Sequence, residues 1–226
     1  PQSAKLLWQD KLGLISQVAY HDGRVEFVVS DTGQAGNAVI AVYDKPDPNA
    51  ADAMVLWSWH IWCAPRPVDI PVKPEAGTEL AAGEKYIFMD RNVGAEDSKE
   101  VGMYYQYGRK DPFIDYQTRG HEHIYDLLGR DVTALLKKLS DSFERYKTIR
   151  YPLTYSNVNM EYGAVWGSNS TSPDQISNDV KTIYDPCPPG YKVPDMRPIQ
   201  ILRSRYFLTG KYETKDGTPF IIFSTL

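Results

Sequence analysis

Residues 54–62 read MVLWSWHIW, the most strand-like stretch of the chain. Valine, isoleucine and tryptophan favour the pleated surface of a sheet, and successive side chains of a strand point to opposite faces. We predict that one face is core, because burying large apolar side chains is a main source of stability. That predicted core face consists of Val55, Trp57, Trp59 and Ile61. On the other face, we expect His60 to be a buried imidazole whose hydrogen bonds are satisfied.

Two stretches before it also predict strands. Gly36–Tyr43 (GNAVIAVY) is a short apolar run that opens on a Gly-Asn pair. Residues 19–30 (AYHDGRVEFVVS) hold Asp22-Gly23, the pair that a two-residue type I′ turn prefers, between two β-rich runs. We therefore predict a β-hairpin that turns at Asp22-Gly23.

Residues 131–147 predict the clearest helix. Apolar side chains recur at helical spacing and charged side chains cover the remaining positions, while Asp131 is a suitable N-cap. We interpret the apolar stripe as a face that packs against the core. Its members are Val132, Leu135, Leu136, Leu139, Phe143 and Tyr146.

The composition is that of a soluble, β-rich protein. The 226 residues carry a formal net charge of −4. Binding nucleic acid requires a concentrated basic surface, so nucleic acid is excluded as the main partner. No apolar run approaches the ~18 residues of a membrane-spanning helix. The chain begins with Pro1 and not Met, so we expect a fragment or a processed chain whose targeting segment has been removed.

A proline-rich stretch marks a boundary between two predicted domains. Residues 64–77 (APRPVDIPVKPEAG) contain four prolines, which exclude a helix and favour an extended, semi-rigid linker. We predict one domain at residues 1–77, ending in this linker, and a second at residues 78–226. Because strands outnumber the single helix, the predicted fold class is α+β, mostly β.

The common catalytic and phosphate-binding motifs do not occur in the sequence, so we predict that the chain is not an enzyme and needs no cofactor. The most metal-like group is His121-Glu122-His123, which is more typical of a solvated turn than of a metal site. Aspartates beside turns are expected to cap those turns or to pair with a neighbouring Arg or Lys. They are Asp90, Asp111, Asp115 and Asp185.

The two cysteines, Cys63 and Cys187, are too few for a disulfide scaffold or a four-thiolate zinc site. Two alternatives stay open: one disulfide between them, or two separately buried thiols. A disulfide would close a long loop and stabilise the fold by up to about 4–5 kcal/mol.

Three blocks of sequence resemble successive parts of one family of bacterial proteins. The blocks are residues 36–62, residues 88–95 followed by 102–113, and residues 183–194 (IYDPCPPGYKVP), in the family's order. Together they resemble Bacteroidetes fimbrillin-like surface proteins that carry a C-terminal Fibrobacter succinogenes major paralogous (FISUMP) domain. In that family the Cys-Pro-Pro-Gly segment marks a stiff corner. The chemistry agrees, since prolines fix φ and Gly190 permits a positive φ.

The resemblance implies a β-sandwich-like N-terminal domain followed by a C-type-lectin-like α+β domain. It also implies a location on the cell surface, at the extracellular side of the outer membrane, with a lipid anchor in a missing N-terminal part. The implied function is that of an adhesion protein or a fimbrial tip subunit, whose partners are other fimbrial subunits or surface glycans or proteins. A glycan would stack on exposed aromatic rings. The candidates are Tyr104, Tyr105, Tyr107 and Trp166.

Two other functions stay open. One is a structural pilin or anchor subunit that assembles by strand donation at an open sheet edge. The other is an enzyme, because the lectin-like fold is similar to that of formylglycine-generating enzymes. One form of such an enzyme would need two adjacent thiols that bind a metal.

Overall fold

The computed structural model describes residues 1–71, 85–106, 108–114, 123–139, 145–156, 166, 181–194 and 198 of the chain. Within these residues the strands are β1 (Ser3–Gln9), β2 (Ile15–His21), β3 (Arg24–Val29), β4 (Gly36–Tyr43), β5 (Val55–Cys63), β6 (Asp69–Pro71), β7 (Ile87–Met89), β8 (Lys137–Leu139) and β9 (Thr154–Ser156). The helical elements are a 3-10 turn at Thr133–Leu135 and the short helix α1 (Arg145–Arg150). The predicted α+β, mostly β class is confirmed.

A three-stranded antiparallel sheet in the order β1-β4-β5 organises the first part of the chain. The predicted strand Gly36–Tyr43 is β4, and the predicted strand at residues 54–62 is β5, which lies one residue later. All eight residues of β4 are buried. The unbroken apolar run of residues 38–43 is typical of a central strand that is covered on both faces.

Each face of this sheet carries its own cluster of buried apolar side chains. Strand β4 contributes Ala38 and Ile40 to one cluster and Val39 and Ala41 to the other, because its side chains alternate between the two faces. The first, which we name the hairpin-side cluster, is packed by side chains of β2 and β3. Its buried members are Leu6, Leu14, Ile15, Ala38 and Ile40.

The opposite face is covered by residues from much later in the chain, and we name this the loop-side cluster. Its buried members are Leu7, Trp8, Val39, Ala41, Tyr43, Val93, Met103, Tyr105, Ile114, Ile124, Trp166 and Cys187. They come from both sides of residues 64–77, so the two parts of the chain share this core. The division into domains 1–77 and 78–226 stays a prediction.

Strands β2 and β3 form the predicted hairpin, in which His21 pairs with Arg24 across a two-residue turn. Asp22 has a φ of 48° and Gly23 a φ of 80°, and a type I′ turn requires positive φ at both positions. Aspartate tolerates this region and glycine adopts it without a Cβ clash. The Asp22-Gly23 pair therefore fixes the register of the hairpin.

The predicted helix over residues 131–147 is wrong. Thr133–Leu135 is a 3-10 turn, Lys137–Leu139 is strand β8, and the helix α1 begins only at Arg145. Because β8 pairs in parallel with β9, its backbone groups bond to a sheet and not to a helical turn. Phe143 lies outside the described residues.

The helical spacing of this segment has another cause. Val132 donates its backbone N–H to the carbonyl of Ile124 at 2.8 Å, so the backbone pairs with an earlier segment. The side chains of Val132 and Leu136 still pack against the loop-side cluster. Apolar side chains thus reach the core from a non-helical backbone, and tertiary pairing overrides the local helical preference.

Candidate functional site

Two of the four aromatic residues that were predicted to bind a ligand are buried in the structure. Tyr104 is half-buried and forms an isolated β-bridge with Phe113. Tyr105 and Trp166 are only 8% and 5% exposed, so their rings have no open face on which a glycan could stack. The prediction is therefore wrong for these two residues. Tyr107 lies outside the described residues.

Both buried aromatics use their polar atoms inside the protein. The indole N–H of Trp166 donates to the backbone carbonyl of Arg109 at 2.9 Å, and the hydroxyl of Tyr105 lies 2.8 Å from Nδ1 of His60. An amphipathic ring is stable in a core when its polar atom finds such a partner. Tyr105 and Trp166 are therefore core residues of the loop-side cluster.

Tyr105 begins a chain of hydrogen bonds, which we name the histidine network: Tyr105, His60, Asn37 and Asp10. Nε2 of His60 lies 2.9 Å from Oδ1 of Asn37. Nδ2 of Asn37 donates to Oδ2 of Asp10 and to the carbonyl of Gly94, each at 2.9 Å. Oδ1 of Asp10 accepts the backbone N–H of Asn37 at 2.7 Å. The network thus ties β4 and β5 to the loop that follows β1 and to segments that follow the sheet.

These contacts assign the protonation of His60. Because the amide nitrogen of Asn37 faces two acceptors, its oxygen faces the imidazole and accepts a hydrogen bond from Nε2–H. Nδ1 of the neutral ring then accepts a hydrogen bond from the hydroxyl group of Tyr105. Loss of solvation lowers the pKa of His60 to about 4 and raises the pKa of Tyr105. His60 is half-buried, and both of its ring nitrogens have hydrogen-bond partners, as the sequence predicted.

A second polar group joins Ser58, Lys110 and Asp111, and we name it the lysine cluster. Nζ of Lys110 lies 2.9 and 2.8 Å from the two carboxylate oxygens of Asp111 and donates to the backbone carbonyl and the hydroxyl of Ser58. Oγ of Ser58 donates to Asp111 at 2.8 Å. The ammonium also lies 4.6 Å from the ring centroid of Trp57, within cation–π range.

The lysine cluster is enclosed. A serine next to a potential base is a pair used in nucleophilic catalysis, but Ser58 and Asp111 are each only 1% exposed. Burial lowers the pKa of Lys110, and the charge of Asp111 opposes that shift. A surface pocket reaches Asp10, and Ser58 does not line it. The described contacts therefore make this cluster a clamp between β5 and residues 110–111.

The predicted core face of β5 is wrong at Trp59, whereas Val55 and Ile61 do pack against the two clusters. Trp59, which was assigned to the core, is 42% exposed, whereas Ser58 on the opposite face is 1% exposed. The polar side chains Ser58 and His60 can face the interior because Lys110 and Tyr105 supply their hydrogen bonds. Alternation within one strand cannot reveal partners that come from another part of the chain.

The Cys-Pro-Pro-Gly segment has the backbone that its sequence predicts. Gly190 has a φ of 91°, a left-handed conformation that glycine adopts without strain. The backbone N–H of Tyr191 donates to the carbonyl of Pro188 at 3.0 Å, which closes a tight turn. The expected positive φ at Gly190 is therefore confirmed.

Asp185 holds this corner together. Its Oδ1 accepts the backbone N–H of Cys187 at 2.8 Å, and its Oδ2 accepts that of Val193 at 2.9 Å. Nζ of Lys181 lies 2.8 Å from the same carboxylate, whose side chain has no exposed surface. One buried carboxylate thus joins both ends of the corner.

Three of the four predicted aspartates have the local roles that were expected. Asp90 pairs with the adjacent guanidinium of Arg91 at 2.8 Å, Asp111 pairs with its neighbour in the lysine cluster, and Asp185 accepts bonds from nearby backbone groups. Asp115 lies outside the described residues.

The two cysteines are free thiols on opposite faces of the sheet. Cys187 belongs to the loop-side cluster, and the half-buried Cys63 packs against the hairpin-side cluster. Of the two alternatives, the structure therefore has separate thiols. Loss of solvation raises the pKa of both, which keeps them protonated and unreactive near neutral pH.

The predicted metal-like segment is only partly described. His121 and Glu122 lie outside the described residues, and Nδ1 of His123 lies 2.7 Å from Oδ2 of Asp131 on the surface. In the part of the chain that the structure describes, no group of three or more His, Cys, Asp and Glu side chains is arranged to hold a metal ion.

Strand β3 is open to solvent along most of its length. It pairs with β2 in a two-stranded sheet, and five of its six residues are exposed. Phe27, Val28 and Val29 are 37%, 48% and 40% exposed. Proteins usually blunt or cover an exposed apolar edge strand, because such an edge invites pairing with another chain.

The hairpin geometry decides which backbone groups of β3 are open. His21 and Arg24 flank the two-residue turn and form a hydrogen-bonded pair, and such pairs alternate along the strands as far as Val28. The register shifts between Gln17 and Ile15, and beyond it the backbone N–H of Ser30 donates to the carbonyl of Leu14 at 2.8 Å. Every second residue of β3 therefore directs its N–H and C=O away from β2. These outward residues are Val25, Phe27 and Val29. Among the described residues, no backbone hydrogen bond from outside the hairpin reaches them.

No protein-family model, curated protein or solved structure matches the chain. In the described ranges, no helix has the length and the apolar character needed to cross a membrane. The open edge of β3 is therefore the basis for assigning a function.

Proposed function

We propose that this chain is a non-catalytic subunit of an adhesive assembly on the bacterial cell surface, and that it joins another protein chain by strand addition at β3. The open edge of β3 carries the proposal, since no backbone hydrogen bond from outside the hairpin reaches its outward residues among the described residues and its apolar side chains are exposed. The resemblance to fimbrillin-like surface proteins supports a location at the extracellular side of the outer membrane.

Strand addition suits this edge for two reasons. An added strand gains affinity from main-chain hydrogen bonds and specificity from alternate side chains. A two-stranded sheet is also marginal by itself, and a third strand would extend it while covering the exposed surface of Phe27, Val28 and Val29. Each Å² of apolar surface removed from water contributes about 25 cal/mol.

A protein partner is favoured over a glycan. Of the aromatic residues proposed for sugar stacking, Tyr105 and Trp166 lie in the core, whereas the exposed apolar side chains of β3 follow one another along a strand. The enzyme alternative has little support, because the serine and the carboxylate of the lysine cluster are enclosed and the two thiols lie on opposite faces of the sheet.

The test uses a peptide of seven residues that alternates threonine and valine, because strand addition recognises the main chain of its ligand. Hydrogen exchange of the amides of Val25 and Phe27 is measured with and without the peptide. The control peptide has the same sequence with an N-methyl group on every residue, so neither of its edges can donate backbone hydrogen bonds to β3.

We expect the unmodified peptide to slow exchange at Val25 and Phe27 and the N-methylated peptide to have no effect. The variant Phe27→Pro lacks one outward N–H and should lose the response, whereas Phe27→Ala keeps that N–H and should retain part of it. Equal responses to the two peptides, or protection confined to other strands, would overturn the proposal.

A further inference from the structure

We infer that the strand added to β3 is β3 of a second copy of this chain, antiparallel to the first, with Phe27 of one copy opposite Phe27 of the other. This inference rests on the proposed function, because it uses the same open edge. The sequence of β3 identifies the partner, since the strand is complementary to itself.

The pairing centred on Phe27 uses the whole of β3. It places Val25 opposite Val29 of the second copy, and Val29 opposite Val25, so every outward residue meets another outward residue. Outward residues of two antiparallel strands then exchange N–H···O=C bonds as hydrogen-bonded pairs. Their side chains are all apolar, and apolar pairs of this kind stabilise a sheet.

A shift of this register in either direction is less favourable. A shift that centres the pair on Val28 would place Val25 opposite Asp31, beyond the end of β3. In the pairing centred on Phe27, Glu26 lies opposite Val28 of the second copy and Arg24 lies opposite Ser30. A shift that moves the centre of the pair by one residue towards the turn would centre it on Glu26. Two carboxylates would then lie directly opposite each other, which destabilises a sheet. A shift by a second step would place Phe27 opposite Gly23 in the turn and leave Val29 unpaired.

The resulting joint is a closed, two-fold contact. An interface in which the same residues face each other is isologous and joins two copies only. It turns two hairpins into one four-stranded sheet and leaves no open β3 edge. In the assembly we propose, this contact would therefore link subunits in pairs.

The first test is sedimentation of the whole chain over a concentration range up to about 100 μM, because small interfaces form weak dimers. We expect a monomer–dimer equilibrium that Phe27→Pro shifts to the monomer by at least about tenfold in dissociation constant, or about 1.4 kcal/mol. The matched control is Leu128→Ala, which removes another exposed apolar side chain, 76% exposed, and should leave the equilibrium unchanged.

The second test is cross-linking, which does not depend on whether Phe27→Pro preserves the hairpin. Residues opposite each other in a hydrogen-bonded pair have Cα atoms ~5.5 Å apart, a distance that a disulfide spans. Under mild oxidation we expect Phe27→Cys to form a covalent dimer. Neither Val25→Cys nor Val29→Cys should cross-link with itself, but an equimolar mixture of the two should. The unmodified chain controls for the native thiols.

A monomer at every concentration, or cross-linking at Val25→Cys alone that equals that at Phe27→Cys, would overturn the inference. The peptide experiment distinguishes this failure from a failure of the proposed function. If the threonine–valine peptide still protects Phe27, the edge accepts a strand from a different protein. If neither the peptide nor a second copy protects it, both conclusions fail.

Discussion

The hydroxyl of Tyr105 donates a hydrogen bond to Nδ1 of His60 over 2.8 Å. His60 belongs to β5, whereas Tyr105 comes from a segment that follows the proline-rich residues 64–77. One polar contact thus joins the first sheet to the later part of the chain. The histidine network and the lysine cluster together hold the loop-side cluster against that sheet, and both make predictions about stability.

Replacing Tyr105 with phenylalanine removes the donor to Nδ1 of His60 and leaves a shielded acceptor without a partner. We expect the free energy of unfolding to fall by about 1–2 kcal/mol, measured by urea denaturation. The matched control is Tyr104→Phe, since Tyr104 is half-buried and has no such bond among the described contacts. Equal losses in the two variants would contradict the assigned role of the hydroxyl.

The stability of the chain should depend on pH through His60. Its pKa is about 4 in the folded chain against 6.5 for an ordinary imidazole. Between these values the unfolded chain binds a proton that the folded chain does not. The free energy of unfolding should therefore fall as the pH is lowered from 6.5 to 4, by up to about 3 kcal/mol.

Urea denaturation at several pH values between 4 and 6.5 measures this dependence. The control is His60→Gln, which has no group that titrates at this position and should show a much smaller slope. His60→Gln is expected to be less stable at every pH, so the slope and not the absolute value is the readout. The same slope in both proteins would assign the effect to other groups.

Replacing Lys110 with methionine should strongly destabilise the fold. The change leaves the carboxylate of Asp111 buried without its cation, and breaking a buried pair in this way costs about 3–5 kcal/mol. Lys45→Met is the control, because it removes the exposed pair with Asp52 and such pairs contribute little. Thermal unfolding followed by circular dichroism measures both variants.

A double substitution separates charge from packing at this position. If Lys110→Met is destabilising because of the unpaired carboxylate, then adding Asp111→Asn should restore part of the lost stability. No restoration would mean that the hydrogen bonds to Ser58 and the contact with Trp57 are more important than the ion pair.

Replacing Asp185 with alanine should open the corner at Pro188. The backbone N–H groups of Cys187 and Val193 then lose their buried acceptor, and we expect a loss of at least about 2 kcal/mol. Asp97→Ala is the comparison, because Asp97 accepts one backbone bond on the surface. Similar midpoints of thermal unfolding for the two variants would contradict the role of Asp185.

Local sequence patterns predicted the strands and turns well where local chemistry decides them. Asp22-Gly23 fixes a type I′ turn by its own conformational preference, and the apolar run of residues 38–43 forms the predicted strand β4. In the same way, Gly190 has the positive φ that its place among prolines implies. These features depend on residues adjacent in sequence.

Features that depend on distant partners could not be predicted from local patterns. Ser58 is buried because Lys110 and Asp111 satisfy its hydroxyl, and Trp59 is correspondingly exposed on the edge strand. Val132 has helical spacing, but its backbone pairs with Ile124. The sequence of β3 cannot reveal that β2 is its only paired strand among the described residues, since the same alternation is found in strands that are paired on both edges.

The two faces of the central sheet are covered by residues that the ribosome adds at different times. The hairpin-side cluster and the side chains packed on it come from residues that end at Cys63, so this half can assemble early. The loop-side cluster needs Cys187, which the ribosome adds much later. Until then Val39 and Ala41 lack some of the side chains that cover them in the folded protein. The growing polypeptide therefore exposes apolar surface that chaperones would have to shield.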